Sequence, residues 1–586
     1  MTLTTRWAKE AMCDLPLPEY PRPQMVRENW VNLNGFFEYA VTDESTEWCE
    51  NYDGEIRVPF AIESCLSGVC KRISKKDRLW YRKKITLPEE FKGKRTLLHF
   101  GAVDWECKVY VNKKHVGGHI GGYCPFTIDI TDALTDGENE LVVWVYDPTD
   151  EAWQNRGKQA SESHGFWYTS TSGIWQTVWM EAVNENYIKN YKLTPDIDKG
   201  VLKIETDVAG AGKLNIKVFD GETVVAEKEL SAKDEIEIAD VKLWSPENPF
   251  LYDFVLTLEA DGKVDSVKGY FAMRKFSIDE YQGYARLFLN NEPYFQKGLL
   301  DQGYWSDGGL TPPTDEAMIY DIQKMKDLGF NMLRKHIKVE PARWYYHCDR
   351  IGMLVWQDMI SGGQNFNTFY VGVLPNAYTI LSPLVNLTKK DNAYKTFSRE
   401  KLEWRAQFEE ELFEMIDSLY NYPSICCWVP FNEGWGQFDA KRIGDAVKAY
   451  DSTRFVDHAS GWYDQKGCDF RSIHRYIFPF VAPKYDGRPI VISEYGGYSQ
   501  ILDGHVWNKA KSFGYQMYTS KASLTNAYRK LHEHQIIPAI KKGLSATVYT
   551  QVSDVEFEVN GILTYDREIV KIDEQTIIDI NKKLTY

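Results

Sequence analysis

Two glutamates stand where an apolar run gives out. Glu433 follows Trp428-Val429-Pro430-Phe431-Asn432 and precedes Gly434-Trp435-Gly436; Glu494 closes Pro489-Ile490-Val491-Ile492-Ser493 ahead of Tyr495-Gly496. Short apolar runs of this kind read as buried strands, so both carboxylates are expected just past strand C-terminal ends. Two facing carboxyls are what a retaining cleavage of a glycosidic bond needs. One protonates the leaving oxygen while the other attacks the anomeric carbon, with the carboxyl groups roughly 5–5.5 Å apart.

Such a pair needs a scaffold that brings distant strands side by side. From about residue 278 apolar strands alternate with amphipathic stretches such as Asp315–Leu328 and Phe408–Tyr420. Eight strands are expected: Tyr294–Leu299, Asn331–Lys335, Met353–Gln357, Ile425–Pro430, Arg454–His458, Arg471–Tyr476, Ile490–Glu494 and Ser545–Gln551. That pattern predicts a (β/α)8 TIM barrel over 278–586, with its chemistry at the C-terminal ends of the strands. Glu433 and Glu494 then follow the fourth and seventh strands. The long segment 361–400 after the third strand is expected to shape or cover the cleft. Upstream, 1–185 reads as a jelly-roll β-sandwich, from runs such as Cys107-Lys108-Val109-Tyr110-Val111 separated by turn signals such as Asp136-Gly137. Residues 186–277 carry simpler, more charged strands and are expected to form an immunoglobulin-like β-sandwich.

Composition narrows the function classes. A formal net charge of −15 argues against a nucleic-acid groove or an anionic membrane surface as the partner. Aromatic residues make up 14% of the chain; their rings stack on pyranose faces, although large β-rich cores use them too. The ten cysteines form no CxxC and are read as reduced thiols, hence a cytoplasmic protein. The first residues lack an apolar signal segment, and no run is long enough to span a membrane. The eleven histidines do not pair at metal-ligand spacing, and His532-Glu533-His534 reads as a helix surface. No P-loop, HExxH or GxSxG elbow is present. Neither a metal nor a cofactor is expected.

In this order, and over essentially the whole chain, the residues resemble glycoside hydrolase family 2, the family of β-galactosidases, β-glucuronidases and β-mannosidases. The resemblance rests on Leu79-Trp80-Tyr81-Arg82, Thr171-Ser172-Gly173-Ile174-Trp175-Gln176, Asn291-Glu292-Pro293-Tyr294-Phe295-Gln296-Lys297-Gly298, Asn331-Met332-Leu333-Arg334, Val355-Trp356-Gln357-Asp358, Asn432-Glu433 and Ser493-Glu494-Tyr495-Gly496. It implies Glu433 as general acid/base, Glu494 as nucleophile and Asn432 as a partner of the sugar 2-hydroxyl. It also implies that Tyr476, in Ile473-His474-Arg475-Tyr476, leans on the nucleophile, and that Arg334 keeps the nucleophile ionised. Trp435 and Asp358 are further candidates for substrate contacts. A carboxyl facing an ionised neighbour in a partly dry cleft is expected to stay protonated at neutral pH, then to release its proton once that neighbour is esterified.

The sequence departs from the family pattern around the sugar. The Asn-x-Lys pair with which β-glucuronidases hold the sugar carboxylate is here Glu558-Val559-Asn560, and a glutamate repels a uronate. Trp167 stands where an aspartate usually reaches the sugar. The Arg-x-Ser-His signature is Arg334-Lys335-His336-Ile337, so His336 is expected to take over from the displaced histidine. Tyr549 is expected as the strand-eight aromatic that floors the sugar subsite. The favoured reading is an exo-acting retaining β-galactosidase acting on an oligosaccharide or glycoside. Rivals are an arabinosidase or other neutral-sugar glycosidase, a β-glucuronidase, a transglycosylase, and a non-catalytic carbohydrate-binding protein on the same scaffold. A homo-oligomer is common for proteins of this kind.

Overall fold

The computed structural model describes residues 3–364, 367, 369–374 and 390–586. Two antiparallel sheets form the first sandwich. One has six strands in the order Gly54–Val58, Gly35–Asp43, Asp77–Thr86, Glu138–Tyr146, Glu106–Val111, Lys114–Ile120. The other has four, in the order Trp30–Asn32, Val178–Val183, Arg95–Phe100, Phe126–Asp129. Leu79, Tyr81, Leu98, Val109 and Val143 fill the space between them.

The second sandwich sets three strands (Tyr187–Asp196, Val201–Ala209, Lys233–Glu237) against four (Thr223–Leu230, Lys213–Asp220, Tyr252–Ala260, Lys263–Phe271). Period-two alternation decides which residues face in: Leu214, Ile216 and Val218 are buried while Lys213 and Lys217 are exposed. Its core joins these to Leu202, Phe254 and Leu256.

The remaining sheet has eight strands, all parallel: β1 (Gln296–Asp301), β2 (Met332–Lys335), β3 (Leu354–Asp358), β4 (Ile425–Val429), β5 (Phe455–Val456), β6 (Arg471–Arg475), β7 (Ile490–Gly496) and β8 (Leu544–Thr550). Every residue of β2, β3, β4, β7 and β8 is buried, as expected for strands covered on both faces. The ladder runs β5-β4-β3-β2-β1-β8-β7-β6. All eight expected strands form, within two residues at most boundaries, but β5 shrinks to two residues, and no strand pairing joins β5 to β6 among the described residues. The sheet therefore curls into a barrel with one seam. Side chains bridge it: Asp469 Oδ2 accepts the Val456 N–H at 2.8 Å, and the Ser460 and Ser472 hydroxyls lie 3.5 Å apart.

Helices close the outside. Asp315–Asp327 starts on a Thr314 cap that accepts the Ala317 N–H, and Ala342–Ile351 stops at Gly352 in a left-handed conformation. Part of the expected insertion, at 365, 366, 368 and 375–389, lies outside the described residues. Its described end docks on the loop after β4: Arg399 donates to Gly436 O at 3.2 Å and to Asn155 Oδ1 at 2.7 Å. Among the described residues no helix is long and apolar enough to cross a membrane.

Candidate active site

β4 delivers Glu433. The chain leaves the strand through Pro430 and Phe431, and the Asn432 backbone bridges to Ser460. Glu433 itself takes φ +52°, an uncommon left-handed conformation for a residue with a side chain, held by its N–H donating to Ser460 O at 3.0 Å. β7 delivers Glu494. The register slips between Ile473/Ile492 and His474/Glu494, a bulge that aims both the Ser493 hydroxyl and the Glu494 carboxylate at the same interior. One oxygen of Glu433 and one of Glu494 lie within 4.8 Å of each other.

The two carboxylates have unlike surroundings. Arg334, from β2, donates to Glu494 Oε1 at 3.1 Å and to Ser493 O at 3.0 Å. The Tyr476 hydroxyl donates to Glu494 Oε2. Burial and the Glu494 charge raise that phenol far above its ordinary range, so it keeps its proton. Burial alone would raise the Glu494 carboxyl as well, but His474, His336, Arg334 and Lys158 outweigh it and hold it well below the usual carboxylate range. The Arg334 guanidinium, itself held above its ordinary value against its burial by Asp358 and Glu494, stays charged at every working pH. Glu433 instead meets a ring nitrogen: His474 Nδ1 lies 2.8 Å from its Oε1.

Further residues surround this pair. Asn432 Oδ1 accepts from Arg334 at 2.8 Å, which fixes its amide. Asp358 is fully buried; one oxygen takes Arg334 Nε at 2.9 Å, the other Arg334 Nη2 at 3.0 Å and His336 Nδ1 at 2.7 Å. Asp358 and Arg334 are both fully buried and turn these groups on one another. Burial and the Lys158 charge push His336 well below the ordinary histidine range, so the ring is neutral and donates to Asp358. Trp167 comes from the first sandwich and stacks on Trp435, centroids 4.8 Å apart at 13°. Glu558 is buried, with one oxygen accepting from the Tyr168 hydroxyl and the other from Asn560 Nδ2 at 3.0 Å.

Tyr549 does not floor the pocket. Side chains alternate along β8, and it is the next residue, Thr550, whose hydroxyl reaches Tyr476 at 3.2 Å. Tyr549 points the other way, into rings of Tyr495, Tyr528 and His532. His532 is likewise no surface residue: it is buried between the Tyr495 hydroxyl at 2.8 Å and Tyr528 O at 2.9 Å, and burial brings it down to about 4.

Sequence reasoning passed over three residues. Tyr515 stacks on Tyr476 at 3.9 Å and 6°, and carries no motif signal. Lys158, from the first sandwich, holds its ammonium 5.8–5.9 Å from the rings of Phe166, Tyr168 and Trp435. His474 was visible: it lies two residues before Tyr476 on a strand, hence on the same face.

Two strand-end carboxylates over a parallel eight-stranded barrel, one held ionised beside a buried arginine, form the kind of arrangement that glycoside cleavage by paired carboxyls requires. Comparison with known proteins agrees. Three models match in order: glycosyl hydrolases family 2, sugar binding domain, over residues 25–183; glycosyl hydrolases family 2 over 186–274; and glycosyl hydrolases family 2, TIM barrel domain, over 287–574. The chain belongs to glycosyl hydrolases family 2. It is 27% identical over 393 residues to a beta-galactosidase of Thermoanaerobacter pseudethanolicus, covering 64% of this chain and 47% of that one. It is 25% identical over 469 residues to a putative beta-glucuronidase of Formosa agariphila, covering 72% and 51%. The chain thus spans about half the length of these curated relatives. In fold it is similar to the solved beta-D-glucuronidase of Dictyoglomus thermophilum, with a TM-score of 0.74 at 17% identity over 96% of this chain and 98% of that one.

Proposed function

We propose that the protein is a retaining, exo-acting β-glycosidase that releases a terminal sugar by double displacement, with β-galactosides as first substrate. Glu494 is the nucleophile and Glu433 the general acid/base. The observation that carries this is the separation: carboxylate oxygens within 4.8 Å suit retention, whereas inversion needs roughly 6.5–9.5 Å between the carboxyls to admit a water. The cations and phenol gathered on Glu494 favour it, rather than Glu433, as the group that attacks ionised.

In the first step Glu494 Oε2 or Oε1 bonds to the anomeric carbon while Glu433 gives its proton to the departing oxygen. In the second, Glu433 takes a proton from water as that water's oxygen displaces Glu494. The Trp167–Trp435 stack offers an apolar face for a pyranose or an acceptor. The pinned Glu558 disfavours an acidic sugar, and the beta-galactosidase relative supports the neutral one. A β-glucuronide is the second reading, favoured by the Lys158 ammonium at the aromatic wall.

Initial rates on p-nitrophenyl β-galactoside, β-glucuronide, β-glucoside, β-mannoside, α-arabinofuranoside and α-arabinopyranoside separate these readings. Glu494→Gln is expected to abolish turnover. Glu433→Ala should lose on the order of 10²–10⁴-fold on substrates that need protonation, whereas on an activated aryl glycoside, whose glycosyl-enzyme forms without the acid, azide should restore turnover and give a glycosyl azide of retained configuration. Turnover surviving in Glu494→Gln, or a product of inverted configuration from the wild type, would overturn the assignment.

A further inference from the structure

We infer that His474 is a positioning residue for the acid/base: it holds Glu433 by one oxygen, leaves the other to the leaving group, and thereby sets the alkaline limit of the reaction. The inference rests on the roles of Glu433 and Glu494 proposed above.

The imidazole is fully buried between the two carboxylates. Nδ1 lies 2.8 Å from Glu433 Oε1, and Nε2 lies 3.7 Å from Glu494 Oε1. The seat is built for a ring. Gly461, at φ +85°, passes so close that an added Cβ would stand 2.5 Å from His474 Cγ. The Trp462 indole packs edge-on at 6.0 Å.

The neighbours of Nε2 indicate which nitrogen carries the hydrogen. Arg334 Nη1, which only donates, lies 3.5 Å away, and the Ser460 hydroxyl lies 3.0 Å away. The arginine, which cannot accept, suits an unprotonated Nε2, and the serine hydroxyl, which can donate or accept, accommodates it. Nδ1 then carries the hydrogen and donates to Glu433 Oε1. This leaves the proton of the acid on Oε2, the oxygen free to face the glycosidic bond. When that proton departs, the Nδ1–H bond strengthens, because its acceptor is now charged. The imidazole keeps its own proton throughout: Oε2 loses one to the leaving oxygen and regains one from water.

The charged and titratable groups around the ring come from every neighbouring strand: Arg334 and His336 from β2 and the turn beyond it, Asp358 from β3, Glu433 after β4, Asp457 after β5 and Glu494 from β7. Among these groups of the described residues, Glu433 alone both contacts the imidazole at hydrogen-bond distance and, on the proposed mechanism, exchanges a proton with substrate in each half-reaction.

The test compares His474→Ala and His474→Asn on methyl and 2,4-dinitrophenyl β-galactosides, or on the same glycosides of whichever panel sugar turns over fastest. A poor leaving group needs the acid and a good one does not. His474→Ala is expected to lower kcat/KM about 10²-fold on the methyl glycoside and far less on the dinitrophenyl glycoside. The alkaline limb of its pH profile should move. His474→Asn, whose amide N–H can reach the place of Nδ1, should recover most of the loss. Equal losses on both substrates, an unmoved alkaline limb, or an asparagine variant no better than alanine would overturn the proposal. A 2-fluoro glycoside trapped on Glu494 in the alanine variant establishes that it is folded. Failure of that label on the wild type would overturn the underlying assignment instead.

Discussion

Arg334 directs its donors at Asp358, Glu494, Asn432 and the Ser493 carbonyl, and none is left for a substrate. Its work is to keep Glu494 ionised and Asn432 turned. Because the native Glu494 carboxyl is held low, its contribution to stability is present above the unfolded value of about 4.3 and is lost as pH falls through the folded one. Arg334→Met should therefore move the acid limb of kcat/KM to higher pH. It should also cost about 3–5 kcal/mol by denaturant unfolding, since Asp358 and Glu494 are left buried without their cation. At this scale the sequence was informative where chemistry sits at a strand end, as for Glu433 and Glu494. It misled at Tyr549, where position along a motif was weighed above the alternation of side chains. It was silent on Lys158 and Tyr515, which reach the pocket from loops whose path no periodicity encodes.

The turn after β5 is a small element with a large effect. Ser460 offers a carbonyl to the Glu433 N–H and a hydroxyl to His474, and Gly461 next to it clears the space for the imidazole. Gly461→Ala places a Cβ in that space at a positive φ, a change expected to cost more than ~1 kcal/mol. The expected outcome is a fall in kcat/KM that follows the His474→Ala pattern, steeper on the methyl than on the dinitrophenyl glycoside, without contact with either carboxylate. Kinetics on both substrates, beside a thermal midpoint, check it. The eight barrel strands were legible because buried parallel strands are continuous apolar runs. The shortness of β5 was not, since Arg454–His458 has the composition of a strand. Arg454 stands outside the ladder, its guanidinium bound to Asp451 at 2.8 Å and to the Ile425 carbonyl at 2.8 Å.

Across the whole molecule, one buried acid joins the second sandwich to the barrel. Asp349 accepts from the Tyr270 hydroxyl at 2.8 Å and from the Ser424 N–H at 2.8 Å, and Trp244 donates to its carbonyl at 2.8 Å. Burial raises its carboxyl to about 7, against the hydrogen bonds of Ser424 and Tyr270. A raised folded value means that the native state holds a proton the unfolded chain has released. The stability it contributes is complete below the unfolded value of about 3.9 and is lost as pH rises through about 7. Asp349→Asn should flatten the fall of the thermal midpoint between about pH 4 and 7, read by calorimetry across that range. The order of the folds along the chain was legible from strand spacing. The contacts between them were not, because Tyr270, Asp349 and Ser424 are far apart in sequence and only packing brings them together.

The seam between β5 and β6 makes the barrel a clasp rather than a hoop. Glu433 hangs from one jaw, on the β4–β5 side, and Glu494 from the other, on β7 beside β6. Along the hydrogen-bonded ladder the two are five strand steps apart the long way round, and the short way crosses the seam not on a strand ladder but on side-chain hydrogen bonds and the bond from the Asp469 N–H to Val456 O at 3.2 Å. The gap between the carboxylates is therefore set by how firmly the clasp is shut. A jaw opening of about 2 Å would carry a retaining pair toward the spacing of an inverting one. On the mechanism proposed above, stereochemical fidelity becomes a mechanical tolerance, kept in part by two serine hydroxyls, an aspartate and an imidazole.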